Sequence, residues 1–267
     1  MISYRILAFL ALLSLSLPLA SAAIVTKIVD YTDAKGTLLQ GILAYDDSIT
    51  GKRPGILVIH DWRGVTENTE GHCKQLAELG YVAFAADIYG KGVRPKNIPG
   101  YIQQATIYKT DRPLFRERAR AAYDTLLKQP GVDPKRVAAI GYCFGGTGVI
   151  EMARDGVPLL GVVSFHGGLD NSPLSPGSNF TAKVLALCGA EDPFEKPADM
   201  AAFEQQLKDL HVDYQIIQYS SAEHSFTDEG VDALNLPGAK YNAAASRRSW
   251  QAMKDFFAEL FQAAPSN

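Results

Sequence analysis

The sequence predicts an α/β fold, a mostly parallel sheet with helices on both faces. Three observations point there. Apolar runs such as GILVIH and YVAFAAD are too continuous for strands with one wet face, helix-like segments separate them, and polar residues follow the runs closely.

The elements follow in chain order. Residues 1–22 stand apart: MISYR is positively charged, ILAFLALLSLSLPLA is apolar, and Ala20-Ser21-Ala22 has the small-x-small pattern of a signal-peptidase site. This predicts a signal peptide over 1–22, one domain over 23–267, and an exported product, periplasmic or secreted. Val25–Tyr31 and Leu38–Tyr45 form a hairpin pattern around the turn Asp33–Gly36, and the strand ending at His60 follows. Thr69–Leu79 reads as a helix closed by Gly80, and YVAFAAD is the next strand. Residues 88–111, rich in Gly, Pro and polar residues, read as a surface excursion or partial lid. Pro113 opens a helix to about Lys128, RVAAIGY is a strand, and Gly145–Arg154 is a helix of small residues. LLGVVSFHG and KVLALCGAED are two more strands. Pro197–Leu210 is a helix and DYQIIQY a strand. Ala243–Phe261 is a last helix with Trp250, Met253, Phe256, Phe257 and Leu260 on one stripe.

Composition narrows the function. With 47% hydrophobic and 21% charged residues the chain is an ordinary globular protein, not a disordered or multi-span one. The formal net charge of −3, one unit more negative once Arg5 leaves with the leader, offers no footprint for nucleic acid or an anionic membrane. The expected partner is a small molecule. Three cysteines, Cys73, Cys143 and Cys188, cannot all pair within one chain, and none forms CxxC. Cys73 and Cys188 read as buried hydrophobes. No cluster has metal-ligand spacing, so neither metal nor cofactor is expected.

In a sheet of this kind the site lies beyond the carboxyl ends of the strands. Gly141-Tyr142-Cys143-Phe144-Gly145-Gly146 follows a strand and opens a helix, the context of a nucleophile elbow with cysteine in place of serine. The thiol then sits at a helix N-terminus, which favours the thiolate. Asp192 follows the strand KVLALCG, and His224 follows DYQIIQY, giving the order nucleophile, acid, base. In these roles Cys143 attacks an acyl carbonyl, His224 manages its proton and Asp192 orients the imidazole. The backbone N–H groups of Phe144 and Trp62 are the expected oxyanion donors. His60, Asp61, Tyr142 and Phe226 are candidates for the pocket or for tuning the nucleophile. His166 is a candidate pocket residue too, whereas His72 and His211 read as helix-surface residues.

GYCFGG, GAEDP, AEHSF, VIHDWRG and YVAFAADIYGKG together resemble the dienelactone hydrolase family of α/β-hydrolases, over about Ile24 to Phe261. The resemblance implies an α/β-hydrolase fold, carboxylic ester hydrolase activity through a thioester acyl-enzyme, triad roles for Cys143, Asp192 and His224, and oxyanion roles for Trp62 and Phe144. Two departures point away from an acidic dienelactone as substrate. Asp61 stands where those enzymes carry a glutamate, and Asp228 stands where they hold a substrate carboxylate with arginine; Arg63, Arg94 and Arg112 are the candidates to compensate. Two other readings of the residues are a thiol-sensing protein that binds a small molecule without turnover, and a thiol-disulfide exchanger.

Overall fold

The protein is described from a computed structural model, over residues 23–262. The expected leader and its cleavage site lie outside the described residues. Eight strands form one sheet in the order β1-β2-β4-β3-β5-β6-β7-β8. β1 (Ile24–Thr32) and β2 (Leu38–Asp46) make the antiparallel hairpin, and β2 runs antiparallel to β4 (Val82–Ala86). β3 (Arg53–Ile59), β5 (Val132–Tyr142), β6 (Gly161–Phe165), β7 (Lys183–Gly189) and β8 (Tyr214–Tyr219) continue in parallel from β4.

The continuous apolar runs are explained by the layers. In β3, Ile56 and Val58 face α1 (Glu67–Glu78) and α6 (Ala243–Leu260), while Leu57 and Ile59 face the opposite core under α3 (Arg112–Leu127), α4 (Phe144–Arg154) and α5 (Pro197–Asp209). Both faces of the strand are dry, so period-2 alternation disappears from the sequence. On α6, Met253, Phe256 and Phe257 are buried, with Trp250 and Leu260 partly so, as their stripe requires.

The chain moves from β3 to β4 on one side and returns to β5 on the other side of β3. The carboxyl ends of β3 and β5 therefore flank the switch point of the sheet, the place where such folds open a crevice. Residues 98–110 correct the expectation of a loop over 88–111. Ile98–Thr110 is a helix, α2, capped by the Asn97 side chain accepting from the Gly100 N–H. Its proline lies in the first turn, where it lacks no needed hydrogen bond, and only Ala105 and Tyr108 are buried. No helix among the described residues is long and apolar enough to cross a membrane.

Candidate active site

Cys143 sits between the last residue of β5 and the first of α4, with φ 52° and ψ −113°. A non-glycine residue in that region is strained by about 1–3 kcal/mol and persists only where its surroundings enforce it. Two glycines make the turn possible. A Cβ on Gly141 would collide with the Gly145 carbonyl, and one on Gly145 would collide with the Ile59 carbonyl at the end of β3. The turn is held from beneath by the Cys143 N–H, which donates to Phe165 O at 3.0 Å and to His166 Nδ1 at 3.2 Å.

The loops after β7 and β8 bring the partners. His224 Nε2 lies 3.0 Å from Cys143 Sγ, and His224 Nδ1 lies 2.7 Å from Asp192 Oδ2. Asp192 accepts the Phe194 N–H at its other oxygen, 2.8 Å away, which fixes the carboxylate plane. Because a carboxylate can only accept here, Nδ1 carries a proton and Nε2 is the atom turned to sulfur. His224 is itself anchored by a short bridge, its N–H on Gly238 O and its carbonyl on Lys240 N–H.

Burial alone would push the Cys143 thiol up, but the charge and hydrogen bond of His224 outweigh it and hold the thiol below its ordinary value. Burial likewise opposes a charged His224, and the facing Cys143 together with Asp192 raises it instead. The two shifts run in the direction of thiolate beside imidazolium. Neither the Trp62 nor the Phe144 backbone N–H finds an acceptor among the described residues, so both donors are free for a ligand.

Cys143, His224 and Asp192 line a cavity of about 350 Å³, together with Trp62, Asp61 and Tyr142. The profile of the dienelactone hydrolase family matches residues 39–261, which span this whole arrangement. The chain belongs to the dienelactone hydrolase family. It is 27% identical to a putative carboxymethylenebutenolidase of Yersinia pestis, over 85% of each chain. It is also 27% identical to a probable 2-oxo-3-(5-oxofuran-2-ylidene)propanoate lactonase of Bradyrhizobium, covering 84% of this chain and 92% of that one. Among solved structures it resembles P91, a dienelactone hydrolase-like promiscuous phosphotriesterase from metagenomic libraries. That likeness has 37% identity and a TM-score of 0.86, and covers 90% of this chain and 99% of that one. The chain is accordingly a hydrolase of the ester and lactone type with a small-molecule substrate.

Within this dienelactone hydrolase fold some candidate residues lie elsewhere than the sequence suggests. His60 does not line the cavity. It is buried beneath the elbow, stacked on Phe144, with Nε2 accepting the Ile88 N–H and Nδ1 on the Asp61 carbonyl; burial pushes it toward the neutral form. Phe226 is fully buried and stays behind the wall, its ring edge-on to His166 at 5.0 Å. His72 is partly exposed, but one face of its ring is packed. It stacks on Tyr142 with ring centroids 3.9 Å apart, and burial pushes it down to about 4. His211 is exposed.

Asp61 does not touch Cys143. Its carboxylate takes the Arg63 N–H at 2.8 Å and the Arg63 guanidinium, whose other contact is Asp228 at 2.8 Å. Asp61 and Asp228 both line the cavity, tied to one shared arginine. Arg94 is held by Asp87 and by carbonyls, and Arg112 by Asp170. None of the three arginines lines the cavity. Besides His166 and His224, the basic side chain among the described residues that lines the cavity is Lys109 on α2, beside Ile98 and Ile102.

His166 does line the cavity. Buried and held well toward the neutral form by that burial, it accepts at Nδ1 from Cys143, so its Nε2–H donates to Thr227 Oγ1 at 2.7 Å. It thereby links the elbow to the loop that carries His224. Sequence reasoning missed Lys109, Ile98 and Ile102, because α2 was unrecognised, and it missed Phe194 and Glu195, only a few residues past Asp192.

Proposed function

We propose that the chain cleaves a small ester or lactone by covalent catalysis at Cys143. The single observation that carries this reading is the chain of contacts from Asp192 through His224 to the Cys143 sulfur, at the turn between β5 and α4. The thiolate attacks the carbonyl carbon, and the oxyanion meets the N–H groups of Trp62 and Phe144. His224 gives its Nε2 proton to the leaving alkoxide, the C–O bond breaks, and a thioester forms on Cys143. Neutral His224 then takes a proton from water, the hydroxide attacks the thioester, and the thiolate and imidazolium return as the acid leaves.

The apolar cavity wall from Trp62, Ile98, Ile102 and Phe194 suits a modest hydrophobic acyl or alcohol group. The shared commitment of Arg63 to Asp61 and Asp228 argues against the arginine-clamped acidic lactone of the name-giving members. A thiol-disulfide exchanger is disfavoured, because Cys73 and Cys188 are free thiols buried in the core. Export through the expected leader belongs to the same proposal.

The test is a panel of p-nitrophenyl esters, lactones and thioesters on wild type, Cys143→Ala and His224→Ala. Turnover by wild type and a loss of about 10³-fold or more in both variants is expected. Wild-type-like turnover in Cys143→Ala would overturn the mechanism. The likeness to P91 favours adding a p-nitrophenyl phosphotriester to the same panel as a second reading.

A further inference from the structure

Glu195 lies three residues past Asp192 and lines the same cavity as Cys143. Its Oε2 accepts the Leu169 N–H at 2.9 Å, and its Oε1 is shut off from water with no hydrogen-bond partner. An ionised carboxylate offers about four acceptor sites, and a buried polar group left short of partners is costly. The neighbouring cavity wall is Gly168, and a Cβ placed there would stand 4.0 Å from Glu195 Oε2. A Cβ there would also touch Thr147 Oγ1 at 3.4 Å and Asp170 Oδ1 at 3.6 Å, so the space over Gly168 admits a small ligand group, and the carboxylate oxygen it meets is Oε2, which keeps a second lone pair beyond the one Leu169 uses. Burial, with Asp192, Asp199 and Asp170 nearby, pushes Glu195 up to about 7, as befits a carboxylate lacking donors. Arg112 holds Asp170 through Nη2 and makes no hydrogen bond to Glu195.

We infer that Glu195 is a specificity-determining residue, accepting a hydrogen bond from an O–H or N–H group on the substrate laid over Gly168. The preferred substrate is then an ester or lactone whose acyl or alcohol part carries a hydroxyl or ammonium donor, in addition to the apolar part that the α2 wall receives. The inference rests on the hydrolase reading of Cys143. Without a donor ligand, Glu195 would serve only to tie the loop after β7 to the loop after β6 through Leu169.

The experiment separates these roles. Matched p-nitrophenyl esters carry hydroxyl, ammonium, methoxy or methyl groups at the second or third acyl carbon, with a parallel set of alcohols varied the same way. Each is assayed for kcat/KM on wild type, Glu195→Gln and Glu195→Ala, with thermal melts to confirm folding. Wild type is expected to favour at least one donor ester over its methoxy partner by about tenfold, the worth of a charge-assisted hydrogen bond. Glu195→Gln can keep an amide oxygen at the Oε2 position for Leu169 and the ligand but loses the charge, so the preference should shrink. Glu195→Ala should level it. The hydroxyl and ammonium arms distinguish a neutral donor from a cationic one. No donor preference in wild type, or a preference that survives both variants, would overturn the inference while leaving the hydrolase intact. No cleavage of any ester by wild type would overturn the hydrolase reading, and this inference with it.

Discussion

Cys188 lies inside β7 and Cys143 just past the end of β5, two strands away in the same sheet, and the two thiols have opposite chemistry. Around Cys188 there is only packed apolar strand with carboxylates behind it, and burial pushes the thiol up to about 12. Cys143 is only partly exposed, at the cavity wall, and the burial it has acts on it in the same direction. The difference is the turn. It puts the sulfur at a helix N-terminus and 3.0 Å from an imidazole that Asp192 keeps oriented, which reverses the effect of burial. Where the strand stops gives this thiol both its opening to the cavity and the imidazole that holds it below its ordinary value.

The comparison can be broken from the Cys143 side in two ways. Asp192→Asn should cost most, as much as about 10⁴-fold in ester turnover, because an amide at this place can favour the wrong imidazole tautomer. Steady-state kinetics on the most active ester of the panel would measure it, with folding checked by circular dichroism. Gly145→Ala should cost less but act on two readouts together. Its Cβ meets the end of β3, so stability should fall by roughly 1–3 kcal/mol. Turnover should drop about 10²-fold, as a displacement near 1 Å does to a reacting group. A folded Gly145→Ala enzyme of unchanged activity would show that the elbow's close approach to β3 is dispensable.

Much of this was legible before any coordinates. The buried strands announce themselves because Leu57 and Ile59 face one core while Ile56 and Val58 face the other, leaving no polar position. Cys143, Asp192 and His224 stand out because each follows such a run at the carboxyl edge. α2 was hidden because Pro99 and Gly100 look like loop residues, while its helical start depends on a cap by Asn97 and its exposed face carries little pattern. The Arg63 bridge between Asp61 and Asp228 joins loops far apart in the chain, and no local signal couples them. His72 lies on a helix whose mixed polarity suggests surface, and it stays partly exposed there, but the flat ring of Tyr142 covers one of its faces. Such losses are tertiary: the residue type is visible, and its neighbour is not.

The most direct test of the contrast between the thiols is alkylation of the native protein by iodoacetamide across pH, read residue by residue through peptide mass. A thiol held below its ordinary value gains its proton at a lower pH than a free thiol does. Cys143 should therefore be labelled rapidly at neutral pH, with Cys73 and Cys188 untouched, and its rate should fall only toward acid. In His224→Ala, where the largest influence opposing burial is gone, the titration of Cys143 should move upward and labelling at neutral pH should slow. A Cys143 that titrates like an ordinary thiol in both proteins, or is labelled no faster than Cys188, would contradict the account.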